Sequence, residues 1–245
     1  MDFGETKWFS ANLFPVVQAI VQHDRAHKII CQVINVTGSL HGVMKKANLI
    51  KNESSVNFYN NSIPCENFDD VTRFEEHLSA KFFTRKELPQ MSDKLKSCIK
   101  RNLLEIFVNG LEHGASSRIY VGGQYYHTMK KLDYTILDIG KTIRDNVCSF
   151  LNKDVSGKDA IQWAAEEGHT TRTGLISGGL GLKLLQDFLK LNKGKLQIIS
   201  DNGLWTQEEC GTVSTLDFNS PFPGTIVNLE INIDDSSAYR LKEEK

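Results

Sequence analysis

Cysteine is scarce and unpatterned in this 245-residue chain: Cys31, Cys65, Cys98, Cys148 and Cys210 are odd in number and never form a C-x-x-C pair. That usage argues against a disulfide framework and a cysteine zinc site, and predicts reduced thiols. An excess of either charge is lacking too. Lys and Arg total 29 against 30 Asp and Glu, a formal net charge of -1, so no global field draws in a nucleic-acid backbone or an anionic membrane. No apolar run approaches the ~18 residues that span a bilayer. The first residues, MDFGETKWFSANLFPVV, are acidic where a secretory signal needs basic ones. The expected location is the cytoplasm, with no nucleic-acid or membrane partner. Internal repeats and low-complexity segments are absent as well. What is present is a globular composition, 40% apolar and 24% charged, long enough for one large domain or two small ones. A chain of this size buries roughly 70–75% of its unfolded surface and needs no metal staple.

The first sixty-odd residues read as a small βαβ-type unit. Leu13 to Val21 predicts a helix opened by Asn12, with Pro15 tolerated in its first turn. Lys28 to Val36, rich in β-branched residues and followed by Thr37-Gly38-Ser39, predicts a buried strand. A short helix near Leu40 to Ala47 and a strand near Val56 to Tyr59 follow. Residues 63–90 are more polar, carry Pro64 and Pro89, and read as a connector with one helix from Asp70 to Phe83. A second domain over 91–235 opens with a long helix, N-capped by Ser92 and ending before Gly114. Strands are expected at Ser117–Gly122, Asp133–Ile139, Lys195–Ser200 and Thr225–Ile233, and helices at Thr142–Leu151, Ala160–Glu167 and Leu180–Asn192. Residues 236–245 read as a flexible tail.

At roughly 100° per residue, Arg101, Asn102, Glu105, Asn109, Glu112 and His113 gather on one narrow arc of the long helix, while apolar residues fill the remainder. A helix so apolar is mostly buried, and an unpaired carboxylate is costly to bury. The polar strip therefore faces a cleft, although a solvated stripe has the same pattern. Asp138 interrupts an apolar strand just before Gly140. It suits a carboxylate accepting from a ligand amine, or ordinary turn chemistry. Gly178-Gly179-Leu180-Gly181-Leu182 feeds straight into an apolar helix. Glycines that let backbone N–H groups converge at a helix N-terminus make a phosphate cradle, or else a hinge. No G-x-x-x-x-G-K-[ST] is present, and Leu184 replaces the third glycine of a dinucleotide fingerprint. Just upstream, the hydroxyls of Thr170 and Thr171 and the guanidinium of Arg172 suit a lid over phosphates, or a solvated loop.

In order, Glu105-x3-Asn109-x3-His113, Asp138-x-Gly140, Gly178 to Leu182 and Gly224-Thr225 resemble the asparagine box, the two glycine boxes and the terminal Gly-Thr pair of the GHKL ATPases. These include gyrase and the histidine-kinase ATP-binding domains. The resemblance implies an α/β (α+β) Bergerat fold, a mixed sheet with helices on one face. It implies ATP as ligand, Asp138 on the adenine amine with Thr225 behind it, Asn109 on a bridging Mg2+, and Gly179 and Gly181 close to the phosphates. Glu105, one turn before Asn109, is then the base for attack on the γ-phosphate by water or by a partner's hydroxyl. The spacing is most similar to the anti-sigma-factor serine kinases of bacterial partner-switching systems. Thr142 stands where the first glycine box usually has its second glycine, which points to slow turnover with affinity retained.

Residues 1–62 resemble the later part of a STAS domain, the fold of anti-sigma-factor antagonists; Ser10 is the nearest serine to their phosphosite, but Ala11 or Asn12 takes the aligned place. A histidine-kinase phosphoacceptor is also missing, since His77-Leu-Ser-Ala-Lys81 is not H-E-x-[RK]-T-P, and His77 reads as ordinary surface. The layout implies a bacterial switch protein acting on an unidentified protein partner, STAS-type or regulatory, with homodimerisation common among the relatives. The alternative is a nucleotide-gated binding module without catalysis.

Overall fold

In the computed structural model all residues are described except 27, 30, 32, 37, 47–60, 167–179, 235 and 245. The elements are α1 (Phe14–Ala26), α2 (Gly38–Lys46), β1 (Ser62–Phe68), α3 (Val71–His77), β2 (Gln90–Met91), α4 (Asp93–Glu112), β3 (Ile119–Tyr126) and β4 (Lys131–Ile139). They continue with α5 (Ile143–Leu151), α6 (Gly157–Ala165), α7 (Leu180–Asn192), β5 (Lys195–Gln207), β6 (Val213–Asn232) and β7 (Ala238–Tyr239). The chain is α+β, built on a five-stranded sheet in the order β1-β3-β4-β6-β5.

Every neighbouring pair in that sheet is antiparallel, which corrects the expected mixed sheet. Alternation along β4 shows how the sheet is covered. Leu132, Tyr134 and Ile136 point into the main core with Leu103 and Phe107 of α4, Phe74 of α3, Leu185 and Leu189 of α7, and Val227 and Leu229 of β6. Leu137, on the other face, packs with Ala19 of α1 and Tyr120 of β3. Helices therefore cover both faces rather than one. The reason lies in the strands, which are apolar on both sides at β3 and β4 and must bury both.

The amino-terminal segment does not stand apart. Phe14 and Val17 of α1 and Leu40 and Met44 of α2 share a cluster with Cys65 of β1. Asn12 donates to Asn228 Oδ1 (3.2 Å) on β6. Of the strand expected over 28–36, the described residues form only an isolated parallel bridge, Asp2 to Ile34. The strand expected near Val56 lies outside the described residues.

The stretch read as a connector contributes an edge strand, β1, and α3, capped by Asp70 accepting from Arg73 N–H (2.9 Å). From α3 the chain winds on through a wide turn at Leu78–Phe82. His77, expected at the surface, is buried with its Nδ1 3.2 Å from Glu66 Oε2, because α3 rolls that side onto Phe68 and Tyr134. The expected tail is likewise anchored. β7 pairs with β2, Tyr239 sits edge-on to Phe188 at 5.4 Å, and Ser92 donates to Glu244 (2.6 Å). None of the five cysteines is in a disulfide. Among the described residues no helix is long and apolar enough to cross a membrane.

Candidate functional site

The long helix supplies one wall of the site. Ser92 caps α4 by accepting from Leu95 N–H (3.2 Å), and Leu95, Ile99, Leu103 and Phe107 are buried in the core. The stacked rings of Phe74 and Phe107, 4.5 Å between centroids, fix the rotation of the helix. With that face committed, Asn102, Glu105, Asn109 and His113 line a cavity of about 200 Å³. The other walls come from Asp138 and Thr225 on the sheet, Lys141 and Asn146 around α5, Trp163 of α6 and Leu182 of α7.

Asp138 occupies the cavity floor, only 6% exposed. Its Oδ1 has no hydrogen-bond partner. Burial pushes the carboxyl up to about 7, against the lowering pull of the Thr225 backbone N–H. A buried acceptor left empty is costly, so a group in this position is expected to meet a ligand. Three glycines make the room around it. A Cβ on Gly114 would lie 2.9 Å from Asp138 Oδ1, one on Gly110 would lie 3.3 Å from Oδ2, and one on Gly140 would strike the Gly114 carbonyl at 2.0 Å. The end of α4 and the turn after β4 are stitched together there. Lys141 N–H donates to Gly114 O (2.6 Å), and Asn146 Nδ2 donates to His113 O and Thr142 O, each at 3.1 Å.

Thr225 is paired in register with Asp138 and its hydroxyl lies 2.9 Å from Ser200 Oγ. Ser200 in turn accepts from Ile143 N–H (2.9 Å) and sits 2.9 Å from Gly224 O. One hydroxyl network thus joins the last two strands to the start of α5. Thr142 is not among the lining residues. It caps α5 in a reciprocal box, accepting from Asp145 N–H (3.1 Å) while its own N–H donates to Asp145 Oδ2 (2.9 Å). The residue in place of the second glycine has become a helix cap.

Glu105, Asn109, His113, Asp138, Leu182 and Thr225 are thus brought to one cavity, with Gly140 beside it as the close-approach residue. Leu180 and Gly181 begin α7. Arg172, Gly178 and Gly179 lie outside the described residues. The sequence reading did not pick Gly110 and Gly114 as site residues; two glycines one turn apart at the cavity end of α4 were the available signal. Asn102 was legible only as part of the polar arc of the long helix, while Lys141, Asn146, Trp163 and Ser200 were missed, since single residues in different segments leave no pattern. The described residues contain no group of three or more His, Cys, Asp or Glu side chains placed to hold a metal. No family model matches the chain, and no curated protein matches it.

The cavity combines a buried acceptor, Asp138, with apolar walls of Ile119, Ile136, Ile143 and Val227 and the amide and carboxylate of Asn109 and Glu105. A lining of one buried acceptor, apolar walls and a few polar groups suits a small ligand that carries a donor on an apolar ring together with polar groups.

Proposed function

We propose that this chain is a cytoplasmic nucleotide-binding switch protein of GHKL type, with a Bergerat-like arrangement around its site and a STAS-like amino-terminal segment. It would bind ATP and either hydrolyse it or pass its γ-phosphoryl group to a protein partner. The observation that carries this reading is the unpartnered Oδ1 of buried Asp138 at the floor of a cavity walled by Glu105 and Asn109. A carboxylate there accepts from an exocyclic amine and rejects bases that lack one.

The residues also fit a magnesium ion bound together with phosphates. Mg2+ takes hard oxygen ligands and is commonly held by one or two side chains plus phosphate oxygens. The Asn109 amide oxygen would supply the protein ligand, with Glu105 on the same helix face. When bound, the ion would neutralise charge on the phosphates. The chain's own residues do the rest. Asp138 orients the base, and the apolar walls exclude water from it. Glu105 takes the proton from water or from a Ser/Thr hydroxyl as the new O–P bond forms and the bond to ADP breaks, with the electron pair leaving on ADP.

One observation favours a second reading, a nucleotide-gated binding module with little chemistry. Thr142 ties the turn after Asp138 into a capping box, which restrains a place where the related enzymes carry a flexible glycine. Calorimetric titration with Mg-ATP and Mg-ADP tests binding, and phosphate release in the same samples separates the two readings. The expected result is binding of both nucleotides, lost in Asp138→Asn. A wild-type protein that binds neither overturns the proposal.

A further inference from the structure

We infer that Asn102 is the donor that reads the terminal phosphate of the bound nucleotide, a deduction that rests on the nucleotide reading of the same cavity. Asn102 is 3% exposed and lines the cavity. Its Nδ2 makes no hydrogen bond. A buried amide with an unused donor destabilises the ligand-free fold and is satisfied by an acceptor arriving from outside.

Position along α4 says which acceptor. Asp138 sits against Gly110 and Gly114. At about 1.5 Å of rise per residue, Asn102 lies about 12 Å further toward the start of the helix than Gly110. Along α4 the order from Asp138 is therefore Asn109, Glu105 and then Asn102, which sets Asn102 on the far side of the proposed base. Asn102 precedes Glu105 by three residues and shares its face of the helix. An NH2 group there meets a phosphate oxygen where attack would occur, so it distinguishes a triphosphate from a diphosphate.

The test is calorimetric titration of Mg-ATP and Mg-ADP into the full chain and into Asn102→Leu and Asn102→Asp. The expected result is Mg-ATP affinity about 10–100-fold weaker in both variants, with Mg-ADP affinity unchanged. Ligand-free Asn102→Leu should also melt above the parent, since it removes the unused donor. Asn102→Asp keeps the shape of the side chain, so the comparison stands even where the leucine variant fails to fold. Equal loss of both nucleotides, or loss of neither, overturns the role of Asn102 while the nucleotide reading survives. Failure of the parent to bind either nucleotide overturns both.

Discussion

Gly114 and Asp138 can occupy their places only because Gly114 has no side chain. A Cβ there would stand 2.9 Å from Asp138 Oδ1 and 2.5 Å from the Gly110 carbonyl. One obstacle is backbone and cannot rotate away. Gly114→Ala is expected to destabilise the protein by roughly 1–3 kcal/mol, lowering Tm by several degrees, and to abolish nucleotide binding. Gly110→Ala serves as the comparison. Its nearest obstacle is the flexible tip of Ile119 at 2.6 Å, and alanine favours a helix interior, so its loss of Tm should be smaller. Thermal melting of the two variants checks the ranking, and equal losses would contradict it.

The Asp138 carboxyl gives a pH dependence of defined sign. Burial raises it from 3.8 to about 7, so between those values the folded state holds a proton that the unfolded state releases. Its contribution is fully present below about pH 4 and is lost as pH rises through 7. Asp133, raised by burial to about 6 despite Lys131 nearby, acts in the same direction. The ligand-free protein should therefore lose stability from pH 5 to pH 8, and Asp138→Asn should flatten much of that slope in denaturant titrations. Nucleotide affinity should move the opposite way, rising through pH 7 as the carboxylate becomes the acceptor.

Asn109 and Glu105 are expected to separate binding from chemistry. Asn109→Ala should weaken Mg-nucleotide binding at least tenfold in calorimetry. Glu105→Gln should keep Mg-ATP affinity within a few-fold and reduce phosphate release about a hundredfold or more, the usual scale for a lost general base. Equal phosphate release by Glu105→Gln and the parent would remove Glu105 from its role.

The amino-terminal helix should be felt in global stability. Ala19 is fully buried beside Tyr120 and Leu137, on the sheet face opposite the cavity. Ala19→Leu should cost roughly 1–3 kcal/mol and unfold with the main core in a single transition. Two separate transitions would mean that residues 1–62 form an independent unit.

Local rules carried much of this molecule. Ser92 and the apolar period behind it defined α4 nearly to the residue, and Thr142 announced the start of α5, because caps and helical periodicity act over a few neighbouring residues. The same periodicity put Glu105, Asn109 and His113 on one face. The amino-terminal strand, the connector and the tail went differently, since each depends on long-range partners. Alternation gives no sign that β1 would join β3, that α1 would cover the second face of the sheet, or that Tyr239 would find Phe188. The sequence by itself determined which side of α4 is polar and that Asp138 ends its strand just before Gly140. Only the tertiary structure decided that Asp138 and Asn102 are both buried with unused hydrogen-bonding atoms in one cavity. Burial and the absence of a partner are properties of everything packed around a group, and no single stretch of chain encodes them.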